Sequence, residues 1–192
     1  FIENITGSSV MSKKIAIISG SIRKNGYSTQ LAQALQPLFP EGYTTEIVEI
    51  GDLPLYNQDF DSEATPESYI TFRNKISGSD AVLFVTPEHN RSIPAALKNA
   101  LDVGSRPYGQ SAWNGKPAAI VSNSPGLLGA FGANHHLRQI LTFVNMPVLQ
   151  QPEAYFSKIA ELLDGKGGFT SESTQKFAQS IVDAFVQHIE RY

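Results

Sequence analysis

Short, continuous apolar runs alternate along this chain with stretches in which apolar residues recur every three or four positions. Ile15-Ala16-Ile17-Ile18, Ala81-Val82-Leu83-Phe84-Val85 and residues 118–121 are unbroken and bounded by polar or turn residues, the pattern of strands buried on both faces. Residues 44–50 predict a further strand after the first, and residues 146–149 a short fifth one. Leu31, Ala32, Leu35 and Leu38 keep helical spacing until Pro40 and Gly42 stop it. Ile70, Phe72 and Ile76 mark a weaker helix ending at Gly78, and Ala95, Leu97, Ala100, Leu101 and Val103 one ended by Gly104. A helix from about Ala130 carries Leu137, Ile140, Leu141 and Val144, and Phe177, Ile181, Phe185 and Ile189 give a closing helix. Strands and helices in strict alternation predict an α/β domain: a doubly wound, five-stranded parallel sheet with helices on both faces.

No internal repeat or linker interrupts this alternation over residues 11–192, which read as one domain. Residues 1–10 carry no periodic pattern, no basic start and no long apolar core. They read as an appended leader rather than a signal peptide, with Met11 the natural start. The 192 residues hold 15 Lys plus Arg against 18 Asp plus Glu, a formal charge of −3 that offers no basic face to nucleic acid or an anionic membrane. The chain has no cysteine, so disulfides, thiolate nucleophiles and cysteine-based zinc sites are excluded. No apolar run approaches the roughly 20 residues of a membrane span. The expected setting is the cytoplasm.

In doubly wound sheets ligands lie beyond the carboxyl ends of the strands, where strand order reverses. The segments after the first, third and fourth strands are therefore the candidates, and all three are rich in Gly, Ser, Pro and Asn. Gly20-Ser21-Ile22-Arg23-Lys24-Asn25-Gly26-Tyr27-Ser28-Thr29 leads into a helix. Its hydroxyls at Ser21, Ser28 and Thr29, the Arg23 guanidinium and the helix-start amides suit a phosphate monoester. The glycines at 20 and 26 are too far apart for a Walker A loop, and Ile22 replaces the second glycine of the dinucleotide fingerprint. One terminal phosphate, and so a mononucleotide, fits best. The second segment, Thr86-Pro87-Glu88-His89-Asn90-Arg91-Ser92-Ile93-Pro94, is stiffened by its prolines and offers polar groups to a flat heterocycle. Ser92 is placed to cap the helix that Pro94 starts. The third segment, residues 122–132, has glycines at 126, 129 and 132 that allow close approach to a ligand.

Gly20-Ser21-Ile22-Arg23, the run Pro87-Glu88-His89-Asn90-Arg91-Ser92-Ile93-Pro94 followed by Leu97-Lys98-Asn99-Ala100, and Ser124-Pro125-Gly126 resemble the NADPH-dependent FMN reductases. That family has a flavodoxin-like fold and includes bacterial quinone, chromate and azo-dye reductases. The resemblance extends over residues 14–156. It implies that Ser21, Arg23 and Ser28 hold the FMN phosphate, that Pro87, Glu88, His89, Asn90 and Ser92 border the isoalloxazine ring, and that Ser122, Ser124 and Gly126 line its other edge. Arg91 and loop amides are candidates for stabilising the reduced ring. The chain departs from the usual family pattern at Gly26, Ser28, His89, Arg91 and Gly132, where Ser, Asn, Tyr, Tyr and Arg are common.

The implied activity is FMN-dependent oxidation of NADPH or NADH, with the electrons passed to a small acceptor such as a quinone, azo dye, chromate or free flavin. No catalytic side chain and no metal are required. The alternative is a flavodoxin-like electron carrier, which would present a more acidic surface than −3 provides. Adjacent His135 and His136 diverge on a helix and cannot chelate one ion, and no G-x-S-x-G elbow supports a serine hydrolase. Asp59, Asp61 and Glu63 read as a solvated acidic loop. The segment Arg106-Pro107-Tyr108-Gly109-Gln110-Ser111-Ala112-Trp113 is aromatic and lies outside any predicted element. With family habit, it points to a homodimer or homotetramer in which Tyr108 and Trp113 face a partner.

Overall fold

The computed structural model describes residues 12–192, so the leader and start expected at residues 1–11 lie outside the described residues. Five strands form one parallel sheet: β1 (Lys13–Ser19), β2 (Tyr43–Ile47), β3 (Ala81–Thr86), β4 (Ala118–Asn123) and β5 (Tyr155–Phe156), in the order β2-β1-β3-β4-β5. Helices α1 (Tyr27–Leu35), α2 (Glu67–Ser77), α3 (Ala95–Gly104), α4 (Phe131–Phe143), the single-turn α5 (Ile159–Leu162) and α6 (Glu172–Ile189) complete the chain.

Strand alternation divides the core in two. Ala16, Ile18, Val82, Phe84, Ala118 and Ile120 point to the side covered by α2, α3 and α4. Ile15, Ile17, Leu83, Val85, Ala119 and Val121 point to the side of α1 and α6. Both faces of β1, β3 and β4 are thus apolar, which is why these strands lack polar alternation. The strand order turns back between β1 and β3, so the loops that follow these two strands open side by side.

The fifth strand is not where the apolar run at 146–149 placed it. Val148 makes only an isolated bridge to Ala118, and the ladder resumes at Tyr155 and Phe156 beside Ser122 and Asn123. Pro152, between these points, has no N–H to offer a ladder. Two predicted helix faces also need correction. In α2 the buried residues are Tyr69, Phe72 and Ile76, while Ile70 is 47 % exposed; in α6, Phe177 is 40 % exposed.

Trp113, read as an interface residue, closes the core of its own domain instead. It is fully buried, its indole N–H donates to the Leu101 carbonyl (2.9 Å), and its ring meets Phe72 and Phe84 at 5.9 and 5.8 Å. Asp61 is likewise not solvated. Its carboxylate accepts from the Tyr56 hydroxyl (2.7 Å) and lies 3.7 Å from Arg73 and 3.9 Å from Arg106. Among the described residues, no helix is long and apolar enough to cross a membrane.

Candidate functional site

A cleft of about 620 Å³ opens at the carboxyl end of the sheet, within the usual range for small-ligand sites. Its walls come from the first two candidate loops and the end of β4. Of the predicted residues, Ser21, Arg23, Ser28, Pro87, Glu88 and His89 line it; Thr29, Asn90, Arg91, Ser92, Ser122, Ser124 and Gly126 do not.

The loop after β1 has the makings of an anion cradle. α1 starts behind Gly26, which has extended backbone and no capping side chain. Gln30 is the first residue of the helix whose amide returns to a carbonyl, that of Gly26 (3.0 Å), so the amides of Tyr27, Ser28 and Thr29 precede the helical ladder. These donors, with the positive end of the helix dipole, favour a negative group. Arg23 is exposed at the mouth and forms no ion pair among the described residues. A Cβ at residue 26 would sit 2.5 Å from Ser21 Oγ. Glycine there lets Ser21 close over the helix start.

Ser28 is buried, and its Oγ accepts from Asn123 Nδ2 (2.9 Å), which leaves the Ser28 hydroxyl proton free to donate. Thr29 is turned away. Its Oγ1 pairs with Ser19 Oγ at 2.9 Å behind the loop.

After β3 the chain makes a two-residue hairpin. His89 and Ser92 exchange backbone hydrogen bonds (2.9 and 3.0 Å), and Asn90 and Arg91 both take positive φ, 52° and 67°. This is the geometry of a type I′ turn. Pro87, Glu88 and His89 face the cleft before the turn; Pro94, Ala95 and Ala96 face it after. Ser92 does not cap α3, whose N-cap is Pro94. Its hydroxyl pairs with His136 Nδ1 (2.9 Å) on α4.

The third candidate loop supplies less than expected. Ser122 is fully buried, donates to the Gly129 carbonyl (2.7 Å) and accepts from Asn134 Nδ2 (3.1 Å). Ser124 Oγ accepts from the Gly129 amide (3.0 Å), and the Gly126 carbonyl accepts from the Lys158 amide (2.8 Å). These groups hold the loop in shape. The residues that reach the cleft are their neighbours, Asn123 and Pro125. The signal for Asn123 was available in the alternation of β4: residues 119 and 121 face α1, so 123 does too, while 122 shares the α4 side with 118 and 120.

The two histidines occupy separate hydroxyl partnerships. His135 Nε2 lies 2.8 Å from the Tyr155 hydroxyl, and burial, reinforced by Glu153, pushes that phenol's pKa up. A second concavity of about 1050 Å³ lies away from these loops, between α3 and α4, where Tyr108 and Phe143 are 89 % and 90 % exposed.

A family model for NADPH-dependent FMN reductases matches residues 13–161. A quinone reductase of Pseudomonas putida is 55 % identical over 176 residues, covering 92 % of this chain and 94 % of the relative. A 2-hydroxy-1,4-benzoquinone reductase of a Burkholderia species is 43 % identical over 91 % of this chain and 95 % of its own length. Among solved structures, the flavoenzyme FerB of Paracoccus denitrificans, an NAD(P)H:acceptor oxidoreductase, superimposes with a TM-score of 0.88 at 44 % identity, covering 93 % of this chain and 98 % of FerB.

Proposed function

The chain belongs to the NADPH-dependent FMN reductase family, and from that premise we propose that it reduces quinones, with FMN seated in the cleft between the loops after β1 and β3. Its activity is that of an FMN-dependent oxidoreductase taking electrons from NAD(P)H and passing them to a small-molecule acceptor. The observation that carries the placement is the set of donors at the start of α1: the Tyr27 and Ser28 amides ahead of the helical ladder, the Ser28 hydroxyl and Arg23, all on residues that line the cleft. A single phosphate matches this set. FMN ends in one phosphate, whereas FAD would require a second anion site.

When bound, FMN supplies a ring that takes up hydride and releases one or two electrons. The chain's own residues do the rest. The Tyr27 and Ser28 amides, the Ser28 hydroxyl and Arg23 would hold the phosphate, and Asn123 fixes the Ser28 oxygen. Pro87, His89 and Ala95 line the cleft and would border the ring. Donor and acceptor share this one cleft, so they bind in turn. Quinone is the acceptor favoured here because the relatives at 55 % and 43 % identity carry that activity in their names.

The same reading takes the active form as a homodimer or a dimer of dimers, paired through the α3–α4 groove, where Tyr108 and Phe143 stand free. The decisive experiment is spectroscopic and chromatographic. Protein as purified should release FMN rather than FAD on denaturation; stripped protein should quench the fluorescence of added FMN, and the reloaded protein should oxidise NAD(P)H when a benzoquinone is added. Recovery of FAD, or oxidation unaffected by quinone, would refute the assignment.

A further inference from the structure

We infer that Glu88 is a positioning residue: from the loop after β3 it caps α4, and so locks together the two loops that flank the cleft. The inference rests on the reading that FMN occupies this cleft.

α4 begins without a cap of its own. Its N-cap is Ala130, at φ 61°, with no side-chain acceptor, and the first turn holds no acidic residue. The missing acceptor comes from a residue 45 positions earlier: Glu88 Oε2 accepts from the Ala133 amide at 2.9 Å. A carboxylate is the group best suited to that end of a helix. The other oxygen, Oε1, faces Arg91 Nη1 at 3.4 Å. One turn further along α4, Ser92 Oγ meets His136 Nδ1 at 2.9 Å. The hairpin is therefore clasped to α4 at both of its ends.

Gly132 makes the approach possible. A Cβ there would stand 2.7 Å from Glu88 Oε2 and 3.0 Å from the Arg91 carbonyl. The hairpin also needs an external hold, because Arg91 sits at φ 67° without being glycine, a conformation that persists only where its surroundings determine it. Pro87, Glu88 and His89, after β3, line the cleft together with Asn123 and Pro125, which end β4 and lead toward α4. The Glu88 clasp sets the spacing between them.

Loss of the clasp leaves a loop that is only partly in the binding-competent form, and apparent affinity falls by that fraction. The test uses the full-length protein stripped of flavin, titrated with FMN and with riboflavin, alongside visible circular dichroism of the bound flavin and thermal melts. Glu88→Ala should weaken both ligands about tenfold, since a wall and not the phosphate site has moved, and should alter the dichroism. Glu88→Gln, which keeps an acceptor for Ala133, should stay within about threefold of wild type. Gly132→Ala should reproduce Glu88→Ala. Because both act on one contact, the double variant should be no worse than the weaker single.

A Glu88→Ala protein that melts earlier yet binds both ligands with unchanged affinity and dichroism would reduce Glu88 to a helix cap and overturn the inference. So would additive effects in the double variant. Should Glu88→Ala not fold, Gly132→Ala and Glu88→Gln carry the same comparison. Wild type that takes up no FMN would overturn the reading of the cleft instead, and the inference with it.

Discussion

The cleft beyond the strands and the groove between α3 and α4 are both concave, and the groove is the larger, about 1050 Å³ against about 620 Å³. What separates them is the state of their polar groups. Around the groove the charged and amide groups pair off, Lys98 with Asp102 (3.0 Å), Tyr56 with Asp61 (2.7 Å) and Asn145 with Asn114 (2.8 Å), while the buried Ser111 hydroxyl is a single group without a partner among the described residues. Around the cleft the first amides of α1, the Ser28 proton and Arg23 stand ready for a partner outside the chain. Size marks a surface that can be covered. Several unsatisfied donors gathered at one helix start, with an arginine beside them, mark a surface built for an anionic ligand.

This contrast can be broken from either side. The largest effect should come from Trp113→Ala beneath the groove, which removes a buried indole and its hydrogen bond to Leu101. About 3–5 kcal/mol of stability should be lost in denaturant melts, with FMN affinity of the remaining folded protein unchanged. A parallel loss of affinity would mean the two regions are one. Next comes Arg23→Ala in the cleft. A hydrogen bond to a charged group is worth about 1.5–3 kcal/mol, so FMN should bind roughly 10- to 150-fold more weakly while riboflavin is little affected. Equal losses for both ligands would move Arg23 away from the phosphate.

A smaller change is expected of Phe143→Glu, whose ring is almost wholly exposed. It should halve the mass seen by light scattering at micromolar concentration and shift the stability of the single chain by less than about 0.5 kcal/mol. An unchanged mass would take assembly elsewhere. The smallest effect concerns Asp164, in the loop after α5. Backbone amides of Lys166 and Gly168 hold its carboxyl below the ordinary range. A group depressed in the folded state stabilises it above the unfolded-state pKa, and that contribution is lost as pH falls through the lower, folded value. Asp164→Asn should therefore flatten the acid limb of the stability curve slightly and leave the neutral region's pH slope alone; an acid limb identical to wild type would deny the amide contacts.

Much of this architecture could be read from residue order, because β1, β3 and β4 are apolar on both faces and leave unbroken runs. The edge could not. A two-residue strand such as Tyr155-Phe156 has no period, whereas Met146-Pro147-Val148-Leu149 imitates one. Trp113 was equally opaque, since a turn carries no repeat to say which way a ring points. In the site, Ser21, Arg23 and Ser28 followed from chemistry at a helix start. Ser122 and Asn123 were exchanged, since both are polar and only the parity of β4 tells them apart. The link from Glu88 to Ala133 spans 45 residues, and no local pattern encodes it.

The broken fifth strand has a consequence for how copies of this protein can meet. An open sheet edge is a template on which another chain can add by backbone pairing, and long, flat edges invite aggregation. Here that edge offers Pro147, a single bridge at Val148, Pro152, and then two paired residues. A second chain finds no continuous row of donors and acceptors to zip against. Recognition on this side of the molecule is thereby confined to side chains, which can be specific where naked backbone cannot.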